Sequence, residues 1–441
     1  MMTRKRLLSF VLTFFFAVIH LGGVAPVYAQ QPSIWLDGVE LRMPPGETGP
    51  VISREGRVLV PARWIAEGMG VEVVWHPDTR QAVFSDPHRR TVLTLDSREA
   101  YLNGQMMILD SPAVSINGRT FVPVRFITEA FDAKVDWQAE TRRVNITSFQ
   151  EMASRLKQMI RLEEIGLGDA EEELLTLWGE PREILPSEYG FEWWIYHREY
   201  QDYAQVGMEN GRIVALYTNS LRWSSDTLLS HKSNRRQVRE LLGTPLEWVL
   251  RENTRYLRNG NGESDLYLLA DLGYVTFFYD LHEGEHITAV KMVLKQTEEG
   301  LQGFLGLMTP GMVTSYERQL YLLANAVRVR MGLHPYQWNQ QVSTVSRKHS
   351  TDMGIRDYFA HESPDGSTPL QRILAEGLRI TQVGENIAAN LTAIDAHEAL
   401  MNSPGHRASL LSKMTHMGTG TSLGHQGGTF EIYHTQNFIS F

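Results

Sequence analysis

The sequence predicts a multidomain α+β protein in which a C-terminal three-layer α-β-α sandwich follows two duplicated α+β modules. Three observations predict it. At 441 residues the chain exceeds one ordinary core and suggests about two to four domains. Two upstream stretches each carry a motif that returns once. From residue 310 onward, amphipathic helical patterns interleave with a few strand-like runs, the mark of helices layered on a sheet. The expected boundaries are 1–29, 30–149, 150–309 and 310–441.

Composition is that of a globular chain, with 42% hydrophobic and 21% charged residues. Residues 1–29 hold Arg4, Lys5 and Arg6 and no acid, so their removal takes the net charge from -9 to -12. The excess is uneven: residues 30–149 carry 13 basic and 15 acidic side chains, 150–309 carry 16 and 26, and 310–441 carry 10 and 10. No basic field exists to attract nucleic acid or an anionic membrane. Cysteine is absent, so stability rests on packing.

Thr3–Arg6 is a basic leader, Leu7–Val24 is mostly apolar, and Val27-Tyr28-Ala29 offers small residues for cleavage. The rival reading is an uncleaved anchor, since the apolar run approaches the roughly 18–20 residues that span a bilayer. His20, Gly22, Gly23 and Pro26 suit a cleavage region better. Either way the chain is exported; a secreted, cell-wall-associated location is expected, with no membrane span after cleavage.

Behind the leader, Gly56-Arg-Val-Leu-Val-Pro61-Ala-Arg63-Trp-Ile65-Ala-Glu67 returns as Gly118-Arg-Thr-Phe-Val-Pro123-Val-Arg125-Phe-Ile127-Thr-Glu129. Trp75 and Trp137 follow at the same offset of 62, as do Thr79-Arg80 and Thr141-Arg142. Each copy reads as a strand stopped by proline, a short helix and a strand pair (Val71–Trp75 with Gln81–Phe84; Lys134–Trp137 with Val144–Thr147). This pattern resembles the copper amine oxidase N-terminal-like domain of exported bacterial proteins. No cluster of histidines accompanies it, so neither copper nor redox chemistry is expected. A rigid stalk is the plain reading; binding of a wall polymer through Trp64, Trp75 and Trp137 is the sharper one.

Residues 150–164 predict a connecting helix, with Met152, Leu156 and Ile160 at helical spacing. A fainter duplication follows. Glu173–Pro181 and Val238–Pro245 each read as a helix closed by glycine with proline two residues on. Strand-like runs come after each: Glu192–Tyr196, Ala204–Met208 and Ile213–Thr218, then Leu266–Ala270, Tyr274–Tyr279 and Ile287–Val293. Glu171-Glu-Glu173 suits a helix N-terminus, and the loop Asn259–Asp265 lacks the six to eight oxygens that calcium requires. The region resembles the CAP-associated N-terminal domain of bacilli and their relatives.

In the C-terminal part, Tyr316, Leu320, Leu323, Val327 and Met331 share a helix face ended by Gly332, and a second helix carries His349 and Asp352. Thr368-Pro369-Leu-Gln371 opens another helix, and Thr392 caps the one running to about Met401. Ser403-Pro-Gly405 breaks it, His406 begins a short helix, and Thr429–Phe438 alternates as a strand. The motifs Phe359-Ala-His361-Glu-Ser-Pro364, Gly384-Glu385-Asn386 and Asn402-Ser-Pro-Gly-His406-Arg407, with Asn325, Arg328, Trp338 and His349 before them, resemble a bacterial CAP domain. CAP stands for the cysteine-rich secretory, antigen 5 and pathogenesis-related superfamily. The resemblance implies a secreted α-β-α sandwich with an open cleft whose two histidines and acids hold a divalent cation such as zinc. Carried over by motif, His361, Glu385 and His406 are the candidate ligand-binding and metal-holding residues. The second cleft glutamate of many eukaryotic members is absent, since Ala399–Ser403 contains no acid.

The chemistry leads the same way. Two imidazoles and a carboxylate suit a zinc site with an open position. Without metal, Glu385 beside a histidine would poise it as a base. No serine or cysteine nucleophile recommends itself. Three roles are therefore open: binding of a wall or extracellular ligand, metal-assisted hydrolysis of peptide or wall material, or an envelope or spore scaffold. His349 reads as a packing histidine; His434 and Gln436, in phase with Ile432 and Phe438, are candidate cleft lining. Asn386 and Ser363 read as loop-fixing.

Overall fold

A computed structural model describes residues 31–86, 89–225, 229–251, 254–257, 262–306, 308–424 and 427–441. The expected leader lies outside these residues, as do Asn259, Gly260 and Asn261 of the loop weighed for calcium. The protein has mixed α/β content throughout.

In the N-terminal domain the two copies of the repeat meet directly. Strands Val58–Pro61 and Arg119–Pro123 pair antiparallel, with Val60 opposite Val122. These valines are equivalent at the offset of 62, so a local two-fold axis passes between them. Each strand ends on a proline (φ -57° and -59°) that starts a short helix, Ala62–Gly68 or Val124–Glu129. Proline fixes φ near that value and removes a donor that neither ladder nor helix needs there. The hairpins Glu72–His76 with Gln81–Ser85, and Lys134–Gln138 with Arg143–Thr147, complete the copies. Val60, Val122, Ile65 and Ile127 form the centre of one core.

The expected connecting helix is shorter than its periodicity, Phe149–Met159, because Ile160 turns extended and Arg161–Leu162 pairs with Trp223–Ser224. Its cap Ser148 donates two hydrogen bonds to the Asp37 carboxylate, from its backbone N–H and its hydroxyl at 2.7 Å each, which join it to the first domain. Helices Glu171–Trp178 and Arg235–Leu242 close on Gly179 and Gly243 at φ +72° and +83°, where a side chain is strained. A seven-stranded antiparallel sheet follows, in which two meanders join through their last strands, Arg212–Thr218 and Ile287–Leu294.

The C-terminal sheet runs Gln337–Trp338, His416–Leu423, Ile432–Ser440, Gln382–Ala389. Helix Gln340–Arg356 lies so close to it that a Cβ on Gly418 or Gly420 would sit 2.1 or 2.0 Å from the backbone of Ser343 or Arg347. Ser350 donates to the Gly420 carbonyl at 3.0 Å from this face. Helix Pro310–Arg330 packs on the other face, where Thr419 donates to the Glu317 carbonyl at 2.7 Å. Thr368 and Gln371 form the expected reciprocal cap, and Thr392 caps Ala393–Asn402. The short helix begins at Pro404 rather than at His406. The last strand starts at Ile432, three residues later than its alternation suggests. One continuous hydrophobic cluster runs from Phe149 through the middle domain to Phe438, so residues 150–309 and 310–441 share a core.

Candidate functional site

Glu385 stands on the strand Gln382–Ala389, on the face covered by helix Gln340–Arg356. Its side chain is 2% exposed. A buried carboxylate needs charged hydrogen-bond partners, and three groups converge on it. Arg372 donates from Nη2 to both oxygens, at 3.0 and 2.8 Å. His361 Nδ1 lies 3.0 Å from Oε1, and His349 Nε2 lies 3.8 Å from the same atom. With Nδ1–H donating to the carboxylate, the tautomer is set and Nε2 of His361 is left as an acceptor. The His361 side chain is 49% exposed, whereas His349 is sealed.

Arg372 ties the loop to its helix as well. It donates to the carbonyls of His361 at 2.9 Å and Ser367 at 2.7 Å, and to Ser363 Oγ at 3.2 Å. Tyr358 reaches Asp352 at 2.5 Å and Ser363 Oγ at 3.1 Å. His349 rests on the Ala360 carbonyl at 3.1 Å, and burial lowers its affinity for a proton. His349 is a packing histidine, and Ser363 fixes the loop.

His406 stands on the helix Pro404–Leu410, with its ring centroid 6.2 Å from that of His361. Partial burial, then the neighbouring His361, hold its pKa below the usual imidazole value. Its position is set from two sides. Asn386 donates to the His406 carbonyl at 3.1 Å. From the middle domain, the turn at 279–282 grips the flanking motif: Asn402 donates to the Tyr279 carbonyl at 2.9 Å and accepts from Leu281 N at 3.0 Å. Arg407 donates to Asp280 at 2.8 Å. Asn402 and Arg407 are thus joints between domains.

His361, Glu385 and His406 are gathered, but the carboxylate is sealed under Arg372 and the imidazoles alone reach solvent. The residues present do not fit a divalent cation. Both oxygens of Glu385 already accept hydrogen bonds, and a permanent guanidinium charge lies where a cation would need an oxygen. Among the described residues no group of three His, Asp or Glu side chains is placed to hold a metal. His434 and Gln436 are also corrected as cleft lining. Both are buried, on the sheet face opposite Glu385. His434 bonds Thr421 at 2.9 Å and the Leu391 carbonyl at 2.8 Å, and burial pushes its pKa down to about 4. Gln436 accepts from Asn386 at 3.2 Å. Strand alternation gave their common face correctly, but that face packs against helix Pro310–Arg330.

Sequence reasoning missed Arg372. The available signal was the helix opened by Thr368, one turn before Arg372 and directly after the His361 loop. A carboxylate placed on a covered strand requires such a cation.

Fold and site together define a C-terminal domain of the cysteine-rich secretory class, preceded by its associated domain. Residues 322–438 match the cysteine-rich secretory protein family, residues 167–304 the CAP-associated N-terminal family, and residues 35–146 the copper amine oxidase N-terminal domain family. The "Uncharacterized membrane protein YlbC" of Bacillus subtilis is 29% identical over 295 residues, covering 62% of this chain and 82% of its own. The "Uncharacterized protein YkwD" of the same organism is 37% identical over 113 residues, covering 25% of this chain and 44% of its own. Among solved structures, an extracellular protein containing a SCP domain from Bacillus anthracis aligns with TM-score 0.53 and 26% identity, covering 62% of this chain and 94% of its own.

Proposed function

We propose that this is a secreted, envelope-associated binding protein whose C-terminal domain holds a wall or extracellular ligand between His361 and His406. The observation that carries the reading is the division of labour around Glu385. The acid is buried and saturated, so it orients rather than reacts, while the two imidazoles reach solvent from a fixed loop and a short helix. Ser363, the hydroxyl nearest them in sequence, is buried and accepts from Tyr358 and Arg372, so it makes a poor nucleophile. The extracellular SCP-domain neighbour supports the location. No described helix is long and apolar enough to cross a membrane. The reading takes the C-terminal domain as an α-β-α sandwich, supported by helices against both sheet faces, and the upstream domains as duplications, supported by their paired equivalent strands.

Cosedimentation of the purified protein with isolated peptidoglycan tests it. The wild type should pellet with the wall, and His361→Ala/His406→Ala should be retained severalfold less at equal wall concentration, with an unchanged circular dichroism spectrum. Equal retention of both proteins would sink the proposal. A second reading, hydrolysis of wall material, draws on the Glu385–His361 pair, which could serve as an oriented base toward water. Release of new fragments from the wall, detected by mass spectrometry and lost in His361→Ala, would favour it.

A further inference from the structure

The two-fold axis between Val60 and Val122 generates two equivalent grooves in the N-terminal domain. Each is composite. The first, of about 470 Å³, is lined by Arg63, Glu67 and Trp75 from one copy and by Arg119 from the other. The second, of about 360 Å³, is lined by Arg125, Glu129 and Trp137, with Arg57 arriving from the opposite copy. Every one of these side chains has its twin at the offset of 62.

The pattern of retained residues points to a ligand. Surface positions tolerate substitution and core positions do not, so two copies of a structural repeat should diverge fastest outside. Here the central buried pairs Val60/Val122 and Ile65/Ile127 are kept, but so is one patch of the surface. Other buried positions differ: Leu59 and Phe121, Ala66 and Thr128, Phe84 and Ile146. Four exposed groove residues return unchanged: Arg57, Arg63, Glu67 and Trp75 as Arg119, Arg125, Glu129 and Trp137. Trp75 and Trp137 are 38% and 42% exposed, so each ring is open to its groove.

Charge narrows the occupant. Arg63 pairs with Glu67 at 3.9 Å and Arg119 with Glu47 at 2.5 Å in the first groove. Arg125 pairs with Glu129 at 3.8 Å and Arg57 with Asp110 at 2.9 Å in the second. Each groove is thus neutral overall yet rich in hydrogen-bond donors and acceptors around an exposed indole, with Trp64 beside it in the first and Phe126 in the second. That combination complements a ring with an apolar C–H face and a rim of hydroxyls. A charged polymer or an apolar helix would leave the paired ions uncompensated or desolvated. We propose that the N-terminal domain is a two-site module for a neutral glycan, each groove taking one sugar segment on its tryptophan.

Titration calorimetry of the full chain tests this, with two neutral oligosaccharides, chitotetraose and cellotetraose, as probes. Two equivalents per chain are expected, with quenching of tryptophan fluorescence. Trp75→Ala or Trp137→Ala should leave one equivalent, and the double variant should bind at least tenfold more weakly. Arg63→Ala/Arg125→Ala, on the solvent rim, should weaken both sites without touching the core and separates binding from folding. No saturable binding to either glycan overturns the proposal. So does binding that the double variants leave unchanged, or a response confined to wall peptides. Loss of wall retention in the cleft variant His361→Ala/His406→Ala leaves glycan stoichiometry at two, so the two proposals fail separately.

Discussion

Arg372 shows how one side chain decides the chemistry of its neighbours. It covers the carboxylate that would otherwise serve a cation, fixes the loop that carries His361, and is itself 12% exposed. Arg372→Met should lower stability by about 3 kcal/mol, the scale for leaving one buried charge without its partner, measured by urea unfolding. A loss below about 1 kcal/mol would mean that Glu385 finds another partner or takes a proton. The same residue predicts indifference to metal. Saturating zinc should raise the unfolding midpoint by less than about 1 °C, whereas a ligand held a hundredfold above its Kd stabilises by about 2.7 kcal/mol. His361, Glu385 and His406 were legible as motif residues, because turn-rich polar stretches punctuate an otherwise helical pattern. Arg372 was not, because a single arginine on an amphipathic helix looks like solvated surface until the strand beside it is known.

At the scale of elements, the C-terminal domain depends on a helix and a strand in backbone contact. Gly420→Ala places a methyl group inside helix Gln340–Arg356 and should destabilise by about 3 kcal/mol, the upper end for overpacking. Normal thermal unfolding of that variant would show that the helix can shift aside. The turn at 279–282 is the other critical element. Asp280→Ala removes the partner of Arg407, and hydrogen exchange should quicken in residues 402–410 while the sheet is unaffected. Most helices and strands were legible because caps and glycine stops declare themselves locally. The early stop at Met159 was not: Ile160 continues the helical periodicity, and only pairing of Arg161–Leu162 with the distant Trp223 pulls the chain straight. His434 and Gln436 were misplaced for a related reason, since alternation identifies a face but not what covers it.

For the whole molecule, acid and base groups at the junction of the middle and C-terminal domains pull stability in opposite directions with pH. Glu398 is buried against Tyr217 at 2.6 Å, and burial pushes its pKa up to about 7; Glu188 is raised likewise. A raised carboxylate binds its proton more tightly in the folded state, so its contribution is full below about pH 4.5 and is lost as pH rises through 7. His434 behaves in reverse: with its pKa down at about 4, folding favours the neutral ring, and that contribution fades as pH falls from about 6.5 to 4. Glu398→Gln should therefore gain on the wild type between pH 5 and 8 as the pH climbs, read from urea midpoints across that range. A difference that stays constant with pH would show that Glu398 does not titrate there.

The continuous cluster from Phe149 to Phe438 has a mechanical corollary. Three sequence-defined segments amount to two cooperative bodies, jointed where Ser148 meets Asp37. Tension applied along an anchored chain would open that joint first and leave the rear body whole. Genetic truncation should respect the same seam: a cut before residue 148 spares the remainder, while a cut near 309 strips half of a common interior and invites aggregation.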